Sequence, residues 1–478
     1  MLSVAKLRNY DVVIKTFLKY LPSRIFVVLN SLVIVPIFAY FLSTAEMSVF
    51  QISIGILNLV CTMSTDWIAK AVLRFYSRYK KWKETDKFFS CIMTIELISF
   101  LIIFLSYFIF KDIVAKSFFV PPYIFLITLI LVIPCGIRQM LYQILRVLKM
   151  PFLYTVSIIV YQISLLLLFF AYTHFIDNVS SIIIAMTFAI SFIDIFILYR
   201  LKFKENIRFC FDKKILKNIF IYAIPLVITS VCIWVVLHFG KFVFQQNKDF
   251  INTAIVGTAW FFVTNALAPL FSLLNFAIFP TVVKKFERRS VIKGLMESVL
   301  NSYILIFIPF VCIFCFYPFK IAQLAFREEY INLGILFPAC ALTIFIHEFM
   351  KLMNIKYHLK NKTYIETTIS LLVAIFSVIL NLILISKFGI LGFSISLVTS
   401  IFVLTLLNSL VKFRYLDYLN LKKIFKCFFL GFLVCFAIFL VLSLIFIKWQ
   451  SNVSTLLQVF IFVISYFVVV QKLKKYIL

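Results

Sequence analysis

The side chains of this sequence that could do chemistry are the ionisable residues that interrupt or end its long apolar segments. The cations that stand out among them are Arg24, Arg74, Arg138 and Lys351. Arginine presents a planar fork of donors that fits phosphate oxygens, and a cation inside an apolar segment could lower the cost of burying an anion there. Each cation also has a simpler interpretation, because a long basic side chain at a helix end can reach the polar interface and only fix the orientation of the chain.

Three acids form the converse set: Asp66, Glu96 and Asp194. Glu96 and Asp194 lie near the middle of apolar segments, where an ionised carboxylate is costly. We therefore expect their side chains to face the interior of a helix bundle, where they are paired, protonated or in contact with water. Two interpretations stay open for these acids: coupling to the uptake of a proton or another cation, and a polar contact between helices.

Residue spacing excludes several chemistries. Among the nine glycines only Gly389 and Gly392 are closely spaced, so neither a P-loop nor a dinucleotide-binding glycine motif can be written. Glu348 follows His347 without a second histidine at the position that a zinc-protease motif requires, and the four histidines have no ligand spacing. We expect no catalytic residue, no metal and no cofactor, and hence a protein that is not an enzyme.

Membrane-spanning helices must position these residues. Hydrophobic residues make up 64% of the chain, charged residues 14%, and the mean hydropathy is +1.08, whereas a soluble protein is roughly half apolar and about a quarter charged. Each span needs about 20 apolar residues. Fourteen such segments can be marked, near 21–42, 49–69, 89–110, 118–137, 152–173, 179–199, 218–239, 253–280, 294–318, 331–350, 364–386, 390–411, 427–447 and 453–471. The predicted fold class is therefore all-α, a polytopic membrane protein.

The cations of the connecting segments predict the topology. The net charge of +28 is spread over these segments, which favours a role in topology over nucleic-acid binding. With the amino terminus inside, alternate connections hold 39 of the 47 Lys and Arg residues, so both termini are predicted to be cytoplasmic. Residues 200–217 carry seven cations and form a predicted basic cytoplasmic linker, whereas the longest external loop, near 240–252, is too short for a folded domain. Residues 1–20 have the pattern of an amphipathic helix on the inner leaflet, with no cleavable signal peptide.

A weak internal repeat indicates two lobes. Residues 66–81 and 275–289 both leave a span as a basic helix end with an aromatic residue, and residues 144–157 and 356–370 enter corresponding spans of the two halves. We predict two six-helix lobes around a central cavity, followed by two C-terminal helices. The predicted divisions are the amphipathic segment at 1–20, an N-lobe at 21–199, the linker at 200–217, a C-lobe at 218–411 and the last two spans at 412–478.

One stretch resembles a known family. Residues 381–400, NLILISKFGILGFSISLVTS, carry Asn-Leu at the end of one span and Gly-Ile-x-Gly at the start of the next. This pattern is similar to that of bacterial polysaccharide flippases of the multidrug/oligosaccharidyl-lipid/polysaccharide exporter superfamily. The segments LSTAEMSVFQ at 42–51, residues 66–76 and YAIPLVITS at 222–230 resemble the same family in order and spacing. The sequence departs from it at Gly240-Lys241, where many relatives carry an Asp-Arg pair.

The resemblance implies a flippase of a bacterial inner membrane that moves undecaprenyl-diphosphate-linked oligosaccharide repeat units to the outer leaflet. The product would be O-antigen, as in lipopolysaccharide, or capsule or a related surface polysaccharide. The four cations would then contact the substrate diphosphate. The implied partners are the lipid-linked oligosaccharide and the membrane, with a polysaccharide polymerase and chain-length proteins as further candidates.

Two alternatives stay open. A drug/cation antiporter of the same superfamily would be favoured by an acid in the first span, but residues 25–42 contain none. An integral membrane glycosyltransferase or polymerase would need a substantial external loop with catalytic carboxylates, which the predicted topology does not provide.

Overall fold

The computed structural model describes residues 2–82, 84–148, 150–201, 211–275, 278, 282, 289–360, 362–412, 420–446 and 452–477. The side chains of residues 2–20 lie outside this description, and so does the amphipathic pattern predicted for the N-terminal segment. Residues 202–210 of the predicted basic linker and most of 276–288 also lie outside it.

Within the described ranges the chain is helical, with no strand. The helices are α1 (Leu2–Phe41), α2 (Thr44–Ser64), α3 (Asp66–Lys81), α4 (Thr85–Phe118), α5 (Pro122–Val147), α6 (Pro151–Tyr172), α7 (Asn178–Arg200), α8 (Lys213–Gln246), α9 (Phe250–Phe271), α10 (Arg289–Phe316), α11 (Pro318–Ala325), α12 (Leu333–Lys360), α13 (Thr363–Leu410), α14 (Leu421–Ile445) and α15 (Asn452–Ile477). A 3₁₀ turn at Glu328–Tyr330 joins α11 to α12.

Thirteen of the described helices are long and apolar enough to cross a membrane. One of them, α13, has 48 residues, and at 1.5 Å per residue its length is about 72 Å, more than twice the ~30 Å of a bilayer core. Its backbone is broken at Gly389, with φ 54° and ψ −127°, a conformation that glycine adopts far more readily than other residues. The helix therefore makes two spans, which brings the total to fourteen and confirms the predicted all-α polytopic fold.

The structure moves the second predicted span, 49–69, to Thr44–Ser64. Helix α2 begins earlier because Ser43 and Glu46 form a capping box, in which the Ser43 hydroxyl accepts from the Glu46 N–H and the Glu46 carboxylate accepts from the Ser43 N–H. The helix is interrupted at Thr65, and the basic stretch that follows forms a separate helix, α3.

The predicted loop at 240–252 is wrong in its extent. Helix α8 continues to Gln246 and α9 begins at Phe250, so only residues 247–249 connect them. The polar residues that indicated a loop have partners inside the fold, since Lys241 Nζ donates to the Gln51 carbonyl at 2.6 Å and Gln245 Nε2 donates to the Phe118 carbonyl at 2.8 Å. A polar side chain that finds such an acceptor can stay in a spanning helix.

The chain divides into two compact units. Unit 1 comprises Met1–Pro36, Ala259–Lys362 and Phe388–Leu478, and unit 2 comprises Ile37–Thr258 and Thr363–Lys387. The predicted lobes at 21–199 and 218–411 concern the parts that would move during function, and this division stays a prediction.

Each unit has an aromatic core of its own. In unit 2 the ring centroid of Phe38 lies 5.8 Å from that of Phe50 and 5.2 Å from that of Phe169. In unit 1 two buried tyrosines bond to backbone carbonyls of neighbouring helices, Tyr303 to Phe345 at 2.8 Å and Tyr466 to Leu305 at 2.9 Å. The second bond attaches α15 to α10, so the last spans are packed into unit 1.

Candidate functional site

Unit 2 contains a group of ionisable side chains on four helices. Asp66 begins α3 immediately after the break at Thr65, Glu96 lies in α4, Arg138 in α5 and Asp194 in α7. Glu96 and Asp194 are only 2% and 3% exposed. Asp66 lies within electrostatic reach of Glu96, and Arg138 within reach of Asp194. The structure thus brings together all three acids and one of the four cations that the sequence singled out.

Glu96 is held close to a helix backbone. A side-chain carbon added to Gly136 would lie 2.6 Å from Glu96 Oε1 and 2.6 Å from Thr65 Cγ2, so only glycine leaves room for both. Both carboxyl oxygens of Glu96 are buried, and no residue in the described part of the chain forms a hydrogen bond with them. A buried carboxyl group without hydrogen bonds is costly in a membrane protein, which makes it a candidate functional group.

Asp194 is in a similar state beside a cation. Its two carboxyl oxygens are buried and have no hydrogen-bond partner among the described residues. The guanidinium carbon of Arg138 lies 4.7 Å from the ring centroid of Tyr161, in a cation–π arrangement. The positive charge of Arg138 is therefore placed against the Tyr161 ring and near the carboxyl group of Asp194, inside unit 2.

A second set of cations lies on α3, next to α8. Lys70 Nζ donates to the Ser230 hydroxyl at 2.8 Å, and the guanidinium carbon of Arg74 lies 4.3 Å from the ring centroid of Tyr222. Lys70 is exposed and Arg74 is half-buried. Arg74 is among the cations that the sequence singles out and Lys70 is not, although the two lie on one face of α3 at i and i+4.

Lys351 of unit 1 belongs to an ion pair. Its ammonium group donates to Glu348 Oε1 at 2.6 Å, while Asn275 Nδ2 donates to Glu348 Oε2 at 3.1 Å. The Lys351 side chain is 48% exposed and Glu348 is buried. Both oxygens of this acid are satisfied, which distinguishes it from Glu96 and Asp194. The remaining selected cation, Arg24, is half-buried on α1 in unit 1.

Lys241 is a functional candidate that the sequence analysis did not select, because it fell in the predicted external loop near 240–252. It is 4% exposed, and a side-chain carbon added to Gly55 would lie 2.8 Å from its Nζ. Trp234 Nε1 donates to the Gly55 carbonyl at 3.1 Å, so α8 bonds to the α2 backbone at two points. The signal that could have indicated this contact is a glycine in an apolar helix of a glycine-poor chain.

The described residues include no group of three or more His, Cys, Asp or Glu side chains that could hold a metal ion. The nine cysteines whose state is described are free thiols.

Unit 2 also contains an apolar groove. Its volume is about 230 Å³, and its lining consists of Trp67, Phe220, Ala223, Ile224, Val227 and Ile228. It therefore lies between α3 and α8, the same two helices that Lys70 and Arg74 join.

Comparison with solved structures finds the same architecture in two membrane proteins of known structure. The lipid II flippase MurJ, in an inward closed conformation, superposes with a TM-score of 0.71 over 97% of this chain and 100% of its own, at 17% identity. The multidrug transporter DinF-BH, of the MATE type, gives a TM-score of 0.66 over 86% of this chain and 97% of its own, at 18% identity. At these identities the likeness shows the fold.

Comparison by sequence finds a curated relative and a family. An uncharacterised membrane protein of Methanocaldococcus jannaschii is 22% identical over 331 residues, which span 65% of this chain and 61% of that protein. Residues 14–286, more than half of the 478 residues, match the polysaccharide biosynthesis protein family. The chain therefore belongs to the polysaccharide biosynthesis protein family and has the multi-pass fold that MurJ and the MATE transporters share.

Proposed function

We propose that this protein is a flippase that moves undecaprenyl-diphosphate-linked oligosaccharide repeat units from the cytoplasmic to the outer leaflet of a bacterial inner membrane. The product would serve O-antigen, capsule or related surface polysaccharide biosynthesis. The observation that carries the proposal is the family match over residues 14–286, together with a fold shared with a lipid II flippase over 97% of the chain. In this proposal the protein is a transporter without catalytic residues, and both termini are cytoplasmic.

The energetics support transport of an anion outward. Moving one charge through 100 mV is worth about 2.3 kcal/mol, so a diphosphate with roughly two negative charges gains about 4–5 kcal/mol on leaving a negative cytoplasm. The substrate head group then needs a path with cations that lowers the cost of its burial. We assign this role to Arg24, Arg74, Arg138 and Lys351.

The contacts of these cations rank them for the assignment. Arg74 fits a direct role well, because it is half-buried and its guanidinium lies over a neutral ring. Lys351 would have to exchange the Glu348 carboxylate for a phosphate oxygen, and its 48% exposed side chain permits that exchange. Arg138 would act on the substrate only after separation from Asp194 and Tyr161.

The acids Asp66, Glu96 and Asp194 are proposed as the group that takes up a proton or another cation during the transport cycle. The burial of Glu96 and Asp194 without hydrogen bonds in the described part of the chain supports this role. The alternative, a purely structural polar contact between helices, would normally require such hydrogen bonds.

Leaflet-resolved analysis of lipid intermediates in a deletion strain tests the proposal. Completed undecaprenyl-linked repeat units should accumulate in the inner leaflet and disappear from it when the protein is expressed again. Gln variants of Arg24, Arg74 and Lys351 should lose this complementation while remaining in the membrane. Delivery to the outer leaflet with unpolymerised glycan would instead indicate a polymerase or glycosyltransferase, and full activity of all three variants would contradict the assigned cations. A polymerase and chain-length proteins are proposed as partners.

A drug/cation antiporter is the second candidate. The fold shared with a multidrug transporter and the interior acids of unit 2 favour it. An unchanged glycan profile in the deletion strain, combined with increased drug sensitivity, would support this alternative.

A further inference from the structure

The groove between α3 and α8 has an apolar lining that is accessible from outside unit 2. Phe220, Ile224 and Ile228 recur at every fourth residue of α8 and are 41%, 55% and 42% exposed. Trp67 of α3 is buried, and its ring lies 5.5 Å from that of Phe220. An exposed apolar stripe on a spanning helix contacts hydrocarbon, which can be bulk lipid or one bound chain.

Two cations border this groove. Lys70 and Arg74 follow Trp67 by about one and two turns of α3, on the side that packs against α8. Lys70 contacts Ser230, which lies just after the stretch of α8 that lines the groove, and Arg74 contacts Tyr222, which lies inside that stretch. An apolar groove with two positive charges at its border has the features that bind an amphiphile with an anionic head group.

The position of the charges favours one kind of amphiphile. In a polyprenyl diphosphate the phosphate is bonded directly to the first isoprene unit, so the anion and the apolar chain begin next to each other. Lys70 and Trp67 are likewise only three residues apart on one helix face. A phospholipid places a glycerol unit between its phosphate and its chains, and a zwitterionic one adds a cation that Lys70 and Arg74 would repel.

We propose that the groove receives the first isoprene units of the polyprenyl chain of the substrate, while its diphosphate contacts Lys70 and Arg74. The inference rests on the proposed flippase function and adds to it a docking surface for the lipid part of the substrate. It gives the polar and the apolar parts of one ligand two adjacent surfaces of unit 2.

Binding of undecaprenyl diphosphate to the purified full-length protein in nanodiscs tests this site. The variant Ile224→Trp fills the groove, and Ile221→Trp is the matched control, because Ile221 is 65% exposed on the same helix and does not line the groove. Displacing about two buried methylenes should raise the Kd of Ile224→Trp about tenfold, and Ile221→Trp should bind like the wild type. Lys70→Gln should weaken binding several-fold, and Lys70→Arg should retain it.

The outcomes separate this proposal from the flippase function. Wild-type binding with equal Kd values for the two Trp variants would overturn the groove and leave the flippase function standing. A wild type that neither binds undecaprenyl diphosphate nor flips the linked oligosaccharide would overturn both. Equal displacement of the probe by phosphatidylglycerol would assign the groove to ordinary anionic lipid and overturn the proposal.

A cross-linking experiment covers the case in which Ile224→Trp does not fold. A benzophenone amino acid at position 224 should cross-link undecaprenyl diphosphate, and the same group at position 221 should give only background. Equal yields at the two positions would count against the groove.

Discussion

Two buried glutamates of this protein occupy opposite states. Glu348 of unit 1 is 4% exposed and accepts from Lys351 and Asn275, one on each carboxyl oxygen. Glu96 of unit 2 is 2% exposed, and neither of its oxygens has a hydrogen-bond partner among the described residues. Both residues are glutamates, both are almost fully buried and both lie in spanning helices, so neither residue type nor depth of burial explains the difference.

The difference lies in what the neighbouring helices supply. Glu348 has an ammonium group three residues later and an amide from a residue far away in the chain, so it contributes to packing within unit 1. Glu96 has the backbone of Gly136 on one side and a second acid, Asp66, within electrostatic reach. A satisfied acid holds its neighbours in place, whereas an acid without donors retains its capacity to bind a proton or cation.

The largest effect on stability should come from Gly136→Ala, which removes the space beside Glu96. The added methyl carbon would meet Glu96 Oε1 and Thr65 Cγ2 at 2.6 Å each, and overpacking of this kind typically costs about 1–3 kcal/mol. Thermal unfolding in detergent should show a clear decrease in Tm. Gly431→Ala in unit 1 is the milder comparison, because its nearest contacts would be Ile308 Cγ2 at 3.1 Å and the Tyr466 hydroxyl at 3.2 Å, so its neighbours need to move only slightly and the decrease in Tm should be smaller. Equal Tm values for the two variants would contradict the close packing of Glu96 against the backbone of Gly136.

A smaller loss is expected for Lys351→Met, which leaves the carboxylate of Glu348 with Asn275 alone. We expect a loss of about 1–2 kcal/mol, below the usual cost of breaking a buried pair because the lysine side chain is half exposed to solvent. The double variant Lys351→Met/Glu348→Gln should recover most of this loss in a double-mutant cycle of unfolding free energies. Additive effects would show that the pair is not coupled.

Glu96→Gln should change stability by less than about 0.5 kcal/mol, because no hydrogen bond from the described residues is lost. Glu348→Gln should be the more destabilising of the two, since it removes the ion pair with Lys351. Transport driven by an imposed pH gradient should fall for Glu96→Gln and persist for Glu348→Gln. If the unfolding measurements place the two variants in the reverse order, the comparison between the two acids fails.

A modest loss of stability is expected for Arg74→Gln, which removes a cation–π contact worth about 0.5–1 kcal/mol. Complementation should nevertheless be lost, because the proposed role of Arg74 is to bind phosphate oxygens. Arg74→Lys should restore it partly. Complementation by Arg74→Gln at the wild-type level would remove this residue from the proposed path.

Sequence reasoning reached the fold because apolar length and the distribution of cations are one-dimensional properties. It predicted the break near Gly389, where the chain passes from one predicted span to the next. It placed the second span too late, although Ser43 and Glu46 have the spacing of a capping box. That signal was readable and was outweighed by the positions of the apolar residues.

The partners of the ionisable residues could not be predicted in the same way. Lys351 and Glu348 are three residues apart on one helix, but the contact of Glu348 with Asn275 joins residues 73 positions apart. The burial of Lys241 depends on a carbonyl group of Gln51 and on the space beside Gly55, and although the glycine indicates a close approach, the sequence does not identify the lysine as its partner. Such contacts depend on how helices pack, and in a membrane the packing depends on shape more than on hydrophobicity.

Three glycines of unit 2, Gly55, Gly136 and Gly257, have a consequence for genetics. A side-chain carbon at these positions would meet Lys241, Glu96 and Gln51, respectively, within 2.8 Å. A random mutagenesis screen for loss of function should therefore recover glycine-to-alanine changes, which replace one hydrogen with one methyl group, as often as changes at these three polar residues themselves. In this glycine-poor chain, the glycines that do not tolerate alanine would identify where the buried polar side chains lie, without any substitution of a polar residue.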